Sequence, residues 1–210
     1  MSPHVALLGD SVFDNKAYAK GKPEVAAHLR ALLPTWKVTL LGTDGSTTES
    51  FGKQLDRVAD SVTHIVLSLG GNDALHQADL LDLPIRTTGE ALDVFEERVG
   101  LFEVSYGYAV EAVLALGKAT TVCTIYNGQF DEPTARRARM GVAMFDDAIL
   151  RTALRFGLDA IELRLVCTEA TDFANPIEPS GTGGRKIAQA IAGILGAPEP
   201  LRQRSTISAG

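Results

Sequence analysis

VALLGDSVF, residues 5–13, runs four apolar residues straight into Gly9, Asp10 and Ser11. A short continuous apolar run, stopped by glycine and two polar residues, reads as a strand covered on both faces. Its last residues leave the core as an acid and a hydroxyl, side by side. With residues 4–9 as the first strand, four further runs of the same kind follow at residues 36–42, 63–69, 120–126 and 159–165.

Helical periodicity fills the intervals. Residues 15–33 carry Tyr18, Val25, Leu29 and Leu32 on one face, with Gly21 and Pro23 set to interrupt or delay the helix. Residues 48–59, 89–116, 132–156 and 180–195 follow, the 132–156 segment with Pro133 placed for a first turn. Strict alternation of strand and helix predicts an α/β fold: three layers, with a doubly wound, five-stranded parallel sheet between helices. The expected strand order is 2-1-3-4-5, and ligands in such sheets sit beyond the carboxyl ends, where the order reverses between strands 1 and 3. Asp10 and Ser11 lie at that point.

Composition narrows the function. A chain of 210 residues, 45% hydrophobic, is long enough for one core, so residues 1–197 are expected to form a single domain with a C-terminal tail at 198–210. A net charge of −6 makes nucleic acid a poor partner. No apolar run reaches the roughly 20 residues of a membrane span. The start, Met1-Ser-Pro-His, has no signal-peptide pattern, so a cytoplasmic location is expected. Cys123 and Cys167 read as buried reduced thiols. No metal-ligand spacing and no nucleotide-binding glycine pattern is present, so neither metal nor cofactor is expected. Ser180-Gly-Thr-Gly-Gly184 has the look of an anion cradle, but it is not a Walker loop.

Other strands bring polar residues to the same rim. Strand 2 ends in Gly42-Thr-Asp-Gly45, and strand 3 ends in Gly70-Gly-Asn72-Asp73. A hydroxyl beside glycine N–H groups and a neutral amide is the local chemistry of an oxyanion site. Taken together these blocks resemble the SGNH/GDSL hydrolases, over residues 5–192. The resemblance implies a flavodoxin-like esterase fold, with Ser11 as nucleophile. It implies that the Ser11 N–H, the Gly45 N–H and the Asn72 side chain hold the oxyanion.

One block departs from the pattern. The family's Asp-x-x-His is filled by Asp172-Phe-Ala-Asn175, and an asparagine amide takes up no proton near neutral pH. His4 and His64 open strands 1 and 3, at the far edge of the sheet, and His28 lies on the first helix; these three read as structural. Three candidates for the base remain open: Asp172 acting through a water or orienting Asn175, Glu178 in the stiff Pro176-Ile-Glu-Pro179 segment, and His76 beyond Asn72. Asp10 and Asn175 are candidate substrate contacts, although Asp10 also suits a loop-holding role. Thr47 and Thr48 read as caps of the second helix, and Lys53 and Arg57 as its solvated face. Residues 74–88 and 127–130 are placed to line a pocket for an acyl group.

The expected activity is hydrolysis of a small ester or acyl substrate. The alternatives are a module of the same fold that binds an acyl or carboxylate ligand without turnover, and a scaffold or dimer-forming protein, which an exposed apolar face on the 89–116 helix would support. Composition and motif leave the oligomeric state undefined.

Overall fold

The computed structural model describes residues 2–196, so the expected tail at 198–210 lies outside the described residues. Among these residues a parallel sheet runs through β1 (His4–Gly9), β2 (Lys37–Leu40), β3 (His64–Ser68), β4 (Ala119–Cys123) and β5 (Asp159–Ile161). The order is β2-β1-β3-β4-β5, as the alternation predicts. Helices α1 (Val25–Leu32), α2 (Gly52–Leu55), α3 (Gly71–Leu75), α4 (Thr88–Leu114), α5 (Thr134–Arg155) and α6 (Gly181–Ile194) cover it.

The opening stretch shows why the sheet needs both layers. Side chains alternate across a strand. Val5 and Leu7 face α1 and α6, packing with Val25, Leu29, Ile187 and Ile191. Ala6 and Leu8 face the other way, with Phe102 and Tyr106 of α4 and Ile149 of α5. Leu7 and Leu8 are completely buried, each contributing about 1.5–3 kcal/mol relative to an exposed side chain. In register, Gly9 lies opposite Ser68 of β3, so the ends of the two central strands are level.

Several elements are shorter than their sequence patterns. The first helix begins only at Val25, after Lys20 and Gly21 have taken positive φ. The second shrinks to one turn, because Thr48 does not cap it. The Thr48 N–H and hydroxyl instead donate to Asp73, the hydroxyl at 2.6 Å. β4 stops at Cys123 because the Ile125 N–H donates to Asp146 of α5, at 2.7 Å, rather than to a neighbouring strand. β5 turns after three residues into a 3-10 turn at Leu163–Leu165. The 74–88 connection is structured by the end of α3 and by a second 3-10 turn at Ala78–Asp82.

The glycines that open α6 are not an anion cradle. Ser180 caps the helix, its hydroxyl oxygen accepting from the N–H groups of Thr182 and Gly183. A Cβ on Gly183 would lie 2.2 Å from the Asp172 carbonyl oxygen, so this glycine serves close packing. Both cysteines are free and buried. On α4, Leu101, Val104 and Tyr108 remain exposed.

Candidate active site

Gly9 brings the chain out of the sheet with φ near +132°. The chain then turns helically, the Phe13 and Asp14 N–H groups donating to the Asp10 carbonyl. Asp10 is buried, and its carboxylate accepts the Val12 N–H at 3.1 Å, which holds the turn. Burial, with Glu178 and Asp73 nearby, pushes its pKa up to about 7. Ser11, 6% exposed, is left facing a cavity of about 200 Å³.

Ser11, Asn72 and Glu178 mark the polar end of that cavity. Leu69, Leu80, Phe95, Val142 and Phe145 are among its apolar walls. The 74–88 and 127–130 segments contribute Leu75, Leu80 and Leu81, and Asn127, Gly128 and Phe130. Lys53 and Arg57 are exposed and take no part.

Asn72 Nδ2 donates to the Ser46 carbonyl at 3.0 Å, which draws the Gly45 loop beside α3. Gly45 is in the left-handed region, φ near +78°. The Ser11 and Gly45 N–H groups have no acceptor among the described residues, and one of the two Asn72 amide hydrogens is spent. Ser11 and Asn72 line the cavity, whereas Gly45 is exposed and is not on its wall.

The candidate bases separate clearly. Glu178 is 6% exposed and lines the cavity. The Ser11 hydroxyl lies close enough to the Glu178 carboxylate to favour the charged form. Burial is the main reason its pKa is pushed up to about 7, with Asp44 adding repulsion and the Ser11 hydroxyl opposing both. Its Oε2 has no partner.

Asp172 is completely buried and committed elsewhere. Its Oδ2 accepts the Thr168 and Glu169 N–H groups at 3.0 Å and pairs with Lys186 Nζ at 2.6 Å. Asp172 is thus tied to Lys186 and the backbone, and it is absent from the cavity wall. Asn175 is exposed and also absent from it. Its side-chain oxygen accepts the N–H groups of Ile177 and Glu178, so it is not placed as a substrate contact. His76 is exposed beyond α3 and off the cavity wall. His4 bonds Ser61 and Thr39, and His64 packs against Trp36.

Lys186→Met separates Asp172 from the chemistry. It leaves a buried carboxylate without its cation, which should cost about 3 kcal/mol in urea denaturation. The rate at which Ser11 reacts with a fluorophosphonate should stay near wild type in the folded variant.

Three supporting residues escaped the sequence reading. Gln54 is buried, its amide accepting from the Gly9 N–H and donating to the Gly9 carbonyl, both at 2.8 Å. Asn15, also buried, accepts the Val25 N–H and donates to the Pro179 carbonyl, which joins the Ser11 turn to the Glu178 loop. Tyr126 donates to the Ile177 carbonyl at 2.7 Å. Gln54 alone left a signal: it interrupts the apolar face Phe51, Leu55, Val58 at a core position.

The model of the GDSL-like Lipase/Acylhydrolase family matches residues 7–185, a span that includes Ser11, Gly45, Asn72 and Glu178. The chain belongs to this GDSL-like family. Solved structures agree on the GDSL-type fold. A lipolytic G-D-S-L family protein from Veillonella parvula is 16% identical, with a TM-score of 0.68 over 91% of this chain and 97% of its own. A phospholipase A1 from Streptomyces albidoflavus is 13% identical, with a TM-score of 0.70 over 92% of this chain and 99% of its own. A carbohydrate acetylesterase from Sinorhizobium meliloti is 14% identical, with a TM-score of 0.66 over 93% of this chain and 99% of its own. No curated protein matches this GDSL-like chain significantly. Among the described residues no helix is long and apolar enough to cross a membrane.

Proposed function

We propose that this protein is a serine esterase acting on a small ester or acyl substrate, with Glu178 in the role of the missing histidine. The observation that carries this reading is that the buried Glu178 carboxylate lines the same cavity as Ser11, beside its hydroxyl, with burial pushing its pKa up to about 7, which suits a general base at neutral pH. Ser11 Oγ attacks the acyl carbon as its proton passes to Glu178. The carbonyl oxygen takes the developing negative charge and is held by the Ser11 N–H, the Gly45 N–H and the free hydrogen of Asn72. Collapse breaks the ester C–O bond, and protonated Glu178 returns its proton to the departing alcohol. Glu178 then draws a proton from water as it attacks the acyl-Ser11, and release of the acid restores both groups. The apolar cavity takes the acyl part.

Activity therefore requires ionised Glu178, and kcat/KM should rise with pH through about 7. Ser11→Ala should lower hydrolysis of short nitrophenyl esters by about 10³-fold or more. Equal rates in variant and wild type would remove Ser11 from the chemistry. A bound carboxylate ligand, with no turnover and no phosphonate adduct on Ser11, would make the chain a binding module instead.

A further inference from the structure

Asn175 occupies the place where the family pattern carries its histidine, and its side-chain oxygen is engaged with backbone. The side-chain oxygen accepts the Ile177 and Glu178 N–H groups, each at 2.9 Å. Such an Asx arrangement fixes the two residues that follow. The rest of the loop is gripped as firmly. The Ala174 N–H donates to the Glu178 carbonyl and the Gln129 N–H to the Pro176 carbonyl, both at 2.8 Å. The Tyr126 hydroxyl holds the Ile177 carbonyl, and Phe173 pairs with Pro179 across the loop base. Both backbone polar groups of Glu178 are thus spent, and its side chain points to Ser11.

We infer that Asn175 is a positioning residue for Glu178: the histidine's post has become the brace that aims a carboxylate at the nucleophile. This rests on reading Glu178 as the base. It has a consequence opposite to what family likeness suggests. Asn175→His breaks the double acceptor that fixes the Glu178 backbone. Restoring the family residue should lower activity rather than raise it.

The test measures kcat, KM and the pH dependence of Ser11 labelling by a fluorophosphonate, in Asn175→Ala, Asn175→His and Asn175→Asp. Alanine and histidine should lower kcat and the labelling rate about tenfold to a hundredfold with little change in KM. Aspartate keeps an acceptor for both N–H groups. It should recover most of the loss while moving the acid limb to higher pH, since its charge opposes ionisation of Glu178. Should the alanine variant not fold, Tyr126→Phe removes one hydrogen bond that holds the same loop and should show the same lowered kcat at unchanged KM. Wild-type kcat and limb in Asn175→Ala, with Glu178→Gln inactive, would overturn the positioning role and leave the base intact. An active Glu178→Gln would overturn the base itself. An Asn175→His variant faster than wild type would overturn the brace.

Discussion

Glu178→Gln should lower kcat by about 10²–10⁴-fold and at the same time make the folded protein more stable at pH 8. The loss follows because an amide takes no proton from Ser11. The gain follows from linkage. The folded protein holds the Glu178 proton up to about pH 7, whereas an unfolded glutamate releases it near 4.5. Between those values the folded state binds more protons than the unfolded state, so stability falls as pH rises. Below the unfolded pKa the carboxyl is neutral in both states and nothing is lost. Above about 7 the whole cost is present, on the order of 3 kcal/mol for this group. Glutamine, of the same shape and always neutral, removes it. Asp10 and Asp146, both pushed up to about 7 by burial, add slopes of the same sign and remain in the variant. Urea midpoints of the two proteins at pH 8 and pH 4 check the argument. The variant should lead at pH 8 and match wild type at pH 4. A variant less stable than wild type at pH 8 would mean that the Glu178 charge is well compensated and is no tuned base.

Gly9→Ala should cost about 4 kcal/mol or more, a large part of the 5–15 kcal/mol typical of a folded domain. Gly9 has φ near +132°, a conformation that side chains resist, and its Cβ would lie 1.8 Å from the Ser68 carbonyl oxygen. The clash is with backbone at the end of β3, so no rotamer change relieves it. Moving either strand would also break the bond from the Asp10 N–H to that same oxygen and both bonds to Gln54. The tight crossing of β1 and β3 is what delivers Ser11 to the Asn72 side of the sheet. Far-UV circular dichroism and a urea titration read the effect. An unchanged midpoint would mean that the Gly9 backbone relaxes freely and does not fix the Ser11 turn.

Much of this was legible along the chain. Continuous apolar runs such as Val5–Leu8 must be covered on both faces, and five of them alternating with helical periods leave few topologies. Gly-Asp-Ser and Gly-Gly-Asn-Asp at the ends of strands 1 and 3 fall on one rim because the strands are parallel and adjacent. The spacing could not rank Asp172, Glu178 and His76 as bases. All three lie on irregular segments, where neither period nor propensity says which way a side chain points. Nor could it show that Thr48 serves Asp73 instead of a helix, because that bond spans 25 residues of chain.

By itself, then, the sequence determined the parallel sheet, its order and the rim where Ser11 emerges, since hydrophobic periodicity and chain connectivity are local properties that burial enforces. Only the tertiary structure put Glu178, and not Asp172, on the wall of the Ser11 cavity. Asp172 is neutralised by Lys186 from α6, while Glu178 is buried without a cation against the serine hydroxyl. Proton affinity depends on which charges and solvent lie within a few ångströms, and those neighbours come from segments far apart in the chain.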